Sequence, residues 1–137
     1  MFDKLKDKLF ISAEINEDNT VIKLTEKSGD LYYLMATGDC CSETWMENVT
    51  GTKDLLNNEI LEVKGTDLGE APGTRQDYDQ KYSFIIKTKK GNFEIEYRNS
   101  SNGYYGGSMD LAIFSNDKWD SYYKPTGDEV YKELRDF

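Results

Sequence analysis

The chain has 137 residues, with 26 acidic and 17 basic side chains and no histidine, and its formal net charge at pH 7 is −9. This charge argues against binding to DNA, RNA or an anionic membrane, because neutralising phosphates needs a basic surface. The absence of histidine removes Ser-His-Asp and Cys-His catalytic systems and imidazole-based zinc sites. We therefore expect one domain, residues 1–137, that is not a conventional enzyme and that carries no metal and no cofactor.

The first third of the sequence predicts three strands. Residues 9–15 and 20–25 flank a turn rich in Asn and Asp at 16–19, which is typical of a β-hairpin. Residues 31–37 are almost continuously apolar, which favours a central strand. The pair Gly38 and Asp39 ends this strand.

Short helices are predicted next. Ser42 is a plausible N-cap for a helix over 43–48, and a second helical turn is predicted over 53–58. A strand over 59–64 follows. Residues 65–80 then form a polar stretch longer than most connections, and we interpret it as a candidate binding loop.

The last third combines a hairpin with a terminal helix. Residues 82–88 and 93–98 alternate between apolar and polar side chains around a Lys-Lys-Gly-Asn turn. Residues 109–114 predict another strand, and 128–136 predict a C-terminal helix with apolar Val130, Tyr131 and Leu134. The fold class expected from these elements is α+β, a mainly antiparallel sheet with short helices and a C-terminal helix.

Two segments have a composition that invites a functional interpretation. Residues 99–107 are rich in Asn, Ser, Gly and Tyr, which suits either ligand contact or a long hairpin loop packed on the sheet. The adjacent Cys40 and Cys41 suit either redox sensing or two small buried thiols, and they fit a reducing compartment. No signal peptide or membrane span is predicted, so we expect a cytoplasmic location.

Three segments in order carry a family resemblance, namely Gly-Asp-Cys-Cys-Ser-Glu-Thr-Trp at 38–45, Gly-Thr-Arg-Gln at 73–76 and Arg-Asn-Ser-Ser-Asn-Gly-Tyr-Tyr-Gly-Gly at 98–107. Together they resemble a family of small phage and prophage proteins of unknown function, which we expect to include the phage anti-Thoeris sponge proteins. Those proteins bind cyclic ADP-ribose isomers, in some cases cyclic oligonucleotides as well, and hold the signal without degrading it. The resemblance implies a homodimer or higher homo-oligomer, in agreement with a small, polar, aromatic-rich domain.

A cyclic ADP-ribose offers an adenine to stack, a pyrophosphate to neutralise and ribose hydroxyls to hydrogen-bond. We therefore expect arginines on the phosphates, aromatic rings against the base and asparagines on ribose or base edges. The candidate ligand-binding residues chosen on this basis are Arg75, Tyr82, Phe84, Asn92, Arg98, Asn99, Tyr104 and Tyr105.

Two other functions stay open from the sequence. A small acidic protein with exposed tyrosines also suits an inhibitor that binds a host defence enzyme. A nucleotide-degrading enzyme without histidine would need a lysine, tyrosine, carboxylate or metal mechanism.

Overall fold

The computed structural model describes residues 1–103 and 106–137. Two of the candidate residues, Tyr104 and Tyr105, lie outside the described residues. The strands of the described chain are β1 (Phe10–Asn16), β2 (Val21–Glu26), β3 (Leu31–Gly38), β4 (Glu43–Thr50), β5 (Ile60–Pro72), β6 (Tyr78–Thr88), β7 (Asn92–Ser101), β8 (Gly107–Ser115), β9 (Lys118–Trp119) and β10 (Tyr131–Glu133). A 3₁₀ helix (Phe2–Leu5) and a single α-helical turn, α1 (Thr52–Leu55), accompany them.

The strands form two antiparallel sheets. The order is β10-β1-β2-β3-β8-β9 in the first sheet and β4-β7-β6-β5 in the second. The predicted hairpins β1–β2 and β6–β7 are confirmed, and β3 is central in its sheet as predicted.

The two sheets share one hydrophobic core. Alternate residues of each strand point inward, because successive side chains of a strand face opposite sides of a sheet. The first sheet contributes Phe10, Ile22, Leu24 and Leu34, and the second contributes Met46, Val49, Phe84, Ile86, Phe93 and Ile95. These side chains are at most 2% exposed.

The predicted C-terminal helix is wrong, and the fold is predominantly β. Residues 131–133 form β10, which pairs with the free edge of β1, and the Leu134 amide donates to the Ala13 carbonyl at 2.9 Å. Tyr131 packs on the outer face of the first sheet, whereas Leu134 enters the core between the sheets. A helix would place these two residues, three apart, on one face, but the open edge of β1 favours a strand that divides them.

The predicted helix over 43–48 is also wrong, because this segment lies within β4. The Ser42 hydroxyl donates to the Asp39 carbonyl at 2.6 Å and caps no helix. β4 pairs with β7 from Glu43 to Thr50, with one register shift between Met46 and Asn48. The predicted turn over 53–58 is represented by α1 alone.

The stretch 65–80 is mostly strand instead of a loop. β5 and β6 pair over their whole length, from Ile60 opposite Thr88 to Pro72 opposite Tyr78. Only the five residues 73–77 connect them, and we call this connection the 73–77 turn. The apolar alternation that would signal a strand is missing, because residues 64–68 of β5 are exposed on both faces.

Candidate functional site

The three segments that carry the family resemblance meet at one end of the two sheets. Ser100 of β7 lies opposite Glu43 of β4 on one side and opposite Asp79 of β6 on the other. At the same end of the first sheet, Gly38 pairs with Gly107. Strand pairing therefore brings together segments that lie far apart in the sequence.

Arg75 and Trp45 form the centre of a cluster on the outer face of the second sheet. The guanidinium carbon of Arg75 lies 3.7 Å from the centre of the Trp45 ring, a cation–π contact that favours Arg over Lys. Trp45 lies on an outer face but is only 6% exposed. Its Nε1 donates a hydrogen bond to the Glu47 carboxylate at 2.6 Å. We call the group Glu43, Trp45, Arg75, Asp79 and Arg98 the Trp45 cluster.

Asp79 holds the 73–77 turn against this face of the sheet. Its carboxylate is fully buried and accepts hydrogen bonds from the Thr74 amide at 3.1 Å and the Thr74 hydroxyl at 2.7 Å. Burial raises the pKa of Asp79, but hydrogen bonds from Ser100, Thr74 and Arg98 outweigh it and lower that pKa below its ordinary value. Asp79 therefore stays ionised and anchors the turn.

A buried serine hydroxyl provides the second anchor of the turn. Ser100 Oγ accepts from the Gln76 amide at 2.8 Å and from the Arg75 amide at 3.3 Å. Serine in the middle of a strand is unremarkable in the sequence, yet here it satisfies the backbone of a segment 24 residues away. These hydrogen bonds thus fix the turn backbone at Arg75, whose side chain covers Trp45.

Arg98 lies beside Asp79 with limited freedom. Its Nη1 is 3.3 Å from Asp79 Oδ2, and its Nη2 is 3.9 Å from Glu96 Oε1. In the part of the chain that the structure describes, the buried Nε of Arg98 has no hydrogen-bond partner. A buried N–H without an acceptor is costly, so an acceptor that reached this donor would relieve that cost.

Two of the three arginines and one lysine lie among the carboxylates around the cluster. Lys81 lies opposite Arg98 in the β6–β7 register. Three cations (Arg75, Lys81 and Arg98) thus accompany four carboxylates (Glu43, Glu47, Asp79 and Glu96) on a chain with net charge −9. These cations reduce the repulsion that an approaching anion would meet.

Asn99 faces inward and organises the neighbouring end of the core. Its Nδ2 donates to Thr44 Oγ1 at 2.8 Å and to Ser42 Oγ at 3.0 Å. A Cβ on Gly38 would lie 2.4 Å from Thr44 Oγ1 and 2.6 Å from Asn99 Nδ2, so a side chain at this position would displace these hydrogen-bonded groups. The buried Oδ1 of Asn99 has no partner among the described residues.

Of the candidate residues, the structure brings Arg75 and Arg98 together in the Trp45 cluster. Tyr82 and Asn99 lie at the same end but on the inner side of the sheet, where Tyr82 stacks on Tyr97 with ring centres 4.9 Å apart. The Tyr82 hydroxyl accepts from the Gly107 amide at 3.1 Å. These two residues therefore flank the cluster from behind the sheet.

Phe84 and Asn92 do not join the other candidates. Phe84 is 2% exposed and contacts Phe2 with ring centres 4.8 Å apart, so it is a core residue. Asn92 begins β7, six residues before Arg98 and roughly 20 Å away along the strand. Sequence reasoning gave Asp79 no role because it lay in a presumed loop among 26 acidic residues.

The described residues contain no group of three or more His, Cys, Asp or Glu side chains placed to hold a metal ion. None of the helices in the described chain is long and apolar enough to cross a membrane.

The contact between Arg75 and Trp45 leads to a spectroscopic prediction. Arg75→Ala removes the group that covers the indole, so we expect the fluorescence emission of Trp45 to move to longer wavelength while the fold is retained. Arg135→Ala is the matched control, since Arg135 is 84% exposed and forms an ion pair with Glu133. Recording both variants in a Trp119→Phe background isolates the signal. Unchanged emission in Arg75→Ala would contradict the stacked geometry.

Comparisons with known proteins give one family and one relative. A family model described as a domain of unknown function, DUF7448, matches residues 4–111. The chain is also 32% identical over 109 residues to Uncharacterized protein L278 of Acanthamoeba polyphaga mimivirus, covering 72% of this chain and 82% of that protein. No solved structure is significantly similar. The matches support a viral origin for the domain, and the family match includes every residue of the Trp45 cluster.

Proposed function

We propose, from the premise that this chain belongs to the DUF7448 family, that it binds and sequesters a small cyclic nucleotide of the cyclic ADP-ribose type without degrading it. The observation that carries this proposal is the convergence of Arg75 and Arg98 beside the Trp45 indole, from segments far apart in sequence. The resemblance to the phage anti-Thoeris sponge proteins supports the choice of ligand.

The two arginines suit a pyrophosphate, since guanidinium groups bind phosphate oxygens through paired N–H donors. The ion pair of Arg75 with Glu43 at 3.6 Å is about half exposed on both sides, and such pairs contribute little. Arg75 can therefore exchange Glu43 for phosphate at low cost. Arg98 would keep Asp79, and a small shift of its side chain would be needed to bring the buried, unpartnered Nε to the ligand.

Aromatic groups supply a surface for the base of the ligand. If Arg75 moves toward phosphate, the face of Trp45 becomes available for stacking on adenine, a contact worth about 1–3 kcal/mol. The candidate tyrosines 104 and 105 remain proposed partners for the base, whereas Asn99 faces inward and supports the sheet behind the cluster. Phe84 and Asn92 have no part in this arrangement, because of their positions in the core and at the far end of β7.

Tight sequestration requires enclosure. Nanomolar binding corresponds to about −12 kcal/mol, which a ligand of this size reaches only when most of its surface is buried. Arg75 is 48% exposed and the face is open to solvent, so we propose that a second copy of the chain closes it. The active form would then be a homodimer or a higher homo-oligomer in the cytoplasm of an infected bacterial cell, where withholding the signal keeps the defence effector inactive.

Thermal unfolding in the presence of a ligand panel tests this proposal. A saturating ligand at about 100 times its Kd adds about 2.7 kcal/mol to the free energy of unfolding, and we expect this for at least one cyclic ADP-ribose isomer. Linear ADP-ribose is the matched control and should stabilise far less. The absence of any shift with cyclic ADP-ribose isomers and with cyclic oligonucleotides would reject the proposal.

A second function, inhibition of a host protein, is favoured by one observation. β5 is an edge strand of 13 residues, and it exposes Leu61 and Leu68 by 43% and 47%. Such an edge can accept a strand from another chain. A stable complex with a purified defence enzyme in the absence of nucleotide, lost on Gly65→Pro, would support this function over sequestration.

A further inference from the structure

Cys40 and Cys41 occupy the tip of a tight turn between β3 and β4. The Ser42 amide donates to the Asp39 carbonyl at 3.3 Å, which closes the four-residue turn 39–42. Cys41 is at its third position with φ of +75°, the value that a type II turn requires there. Glycine or asparagine is the usual residue at such a position.

Cys41 is an exception among the residues of the described chain with positive φ. The other non-glycine residues in this region of the Ramachandran plot are all Asn or Asp, namely Asp7, Asn19, Asn57, Asn116 and Asp117. Asn and Asp tolerate this conformation through local hydrogen bonds, whereas a thiol has no such compensation. A cysteine in this backbone conformation lowers the stability of the fold by about 1 kcal/mol or more. The turn itself therefore gives no reason for a cysteine at this position.

The two sulfurs lie together at the surface. Sγ of Cys40 is 3.5 Å from Sγ of Cys41, and both residues are exposed. The interpretation of the pair as two buried thiols is therefore wrong. Two exposed thiols at this spacing form a bidentate donor set.

The surroundings of the two thiols argue against a closed metal site, against a disulfide and against a reactive thiolate. With no third or fourth ligand among the described residues, a closed tetrahedral metal site is not formed. Disulfide formation would have to bring the sulfurs to about 2.05 Å within a strained ring of adjacent residues. The hydrogen bond and the charge of Cys41 raise the pKa of Cys40, which leaves less of the thiolate that attacks an oxidant.

A centre that needs only two sulfurs fits better. If a soft atom formed bonds of about 2.3 Å to both sulfurs at their observed spacing, the angle between the two bonds would be about 100°. This angle is close to that of a pyramidal or tetrahedral centre. A trivalent arsenic that already carries one organic group has this requirement, because two thiols complete its coordination. Soft centres of this kind prefer thiolate donors.

We propose that Cys40 and Cys41 form a dithiol binding site for a soft trivalent metalloid such as an organic arsenical. Two As–S bonds form, the As–O bond of the arsenoxide breaks, and both thiol protons leave with its oxygen as one water. Arsenic stays trivalent, so no oxidant or reductant takes part. The site does not depend on nucleotide binding, although it adjoins the Trp45 cluster through the hydrogen bond from Gln76 Nε2 to the Cys41 carbonyl at 3.2 Å.

Titration with phenylarsine oxide, in the presence of a phosphine reductant and with intact-mass detection, tests the site. We expect one adduct per chain, with the mass of the reagent less one water, protection of both thiols from alkylation, and reversal by a small dithiol but not by a monothiol. Cys40→Ser and Cys41→Ser should each weaken retention by about 100-fold or more, because only one attachment remains.

Cys41→Gly is the variant that separates chemistry from folding, since glycine adopts the positive φ of this position without strain. We expect it to fold at least as stably as the parent and to lose bridged arsenical. Two adducts per chain, no adduct, or equal retention by the single-thiol variants would overturn the proposal.

Discussion

Asp79→Ala is expected to lower the free energy of unfolding by about 3 kcal/mol and to release the 73–77 turn from the sheet. The substitution removes the two hydrogen bonds from Thr74 and leaves Arg98, whose side chain is only 21% exposed, without its nearest counter-charge. Removing one member of a buried ion pair typically costs about 3–5 kcal/mol, and the partial exposure of Arg98 places this case at the lower end. Urea unfolding measures the change.

Asp77→Ala is the matched control, because Asp77 is an exposed carboxylate in the same turn. Its effect should stay within about 0.5 kcal/mol. If Asp79→Ala were no more destabilising than this control, Asp79 would not anchor the turn.

The pKa of Asp79 adds a pH dependence to this prediction. Its folded value is below the ordinary 3.8, so its contribution to stability is present above that value and is lost as the pH falls through the lower folded pKa. The stability difference between the parent and Asp79→Asn should therefore be constant near neutral pH and shrink below about pH 4. A difference that grew on acidification would contradict the assignment of Asp79 as a hydrogen-bonded carboxylate.

Arg98→Ala is expected to weaken binding of the proposed nucleotide by about 10- to 100-fold. This range corresponds to about 1.5–3 kcal/mol, the usual contribution of a hydrogen bond to a charged group. The residue occupies the Trp45 cluster and holds the only buried guanidinium Nε without a partner in the described residues. Isothermal titration of both proteins with the same isomer gives the ratio of dissociation constants.

Two further variants keep this result interpretable. Arg98→Lys retains the charge beside Asp79 but loses the planar fork, so it should fold normally and still bind more weakly than the parent. Arg135→Ala removes an equal charge at an exposed position and should leave the dissociation constant unchanged. Parent-like affinity of both Arg98 variants would remove this arginine from the ligand site.

The elements that sequence predicted correctly are those in which local and tertiary preferences agree. β1–β2 and β6–β7 combine apolar alternation with strong turn residues, and each forms a hairpin. The two helices failed where the sheets offered a free edge. β4 pairs with the outer edge of β7, and β10 with the outer edge of β1, and these pairings outweigh weak helical signals.

The two arginines of the site could be predicted from the sequence, but their neighbours in the structure could not. Arg75 and Arg98 stand out because only three arginines exist and two lie in unusual segments. Strand pairing then decides which residues meet, and the assignment of 65–80 to a loop hid the pairing that brings Asp79 to Ser100. Residue type alone could not separate Phe84, a core side chain, from an aromatic residue in a ligand site.

The most direct measurement is calorimetric titration of the purified protein with cyclic ADP-ribose isomers, followed by heat denaturation and mass analysis of the released ligand. Sequestration predicts tight binding of at least one isomer and recovery of that isomer with unchanged mass. No binding to any isomer would contradict the account and favour a protein partner. Binding followed by a changed ligand mass would contradict it by identifying the protein as an enzyme.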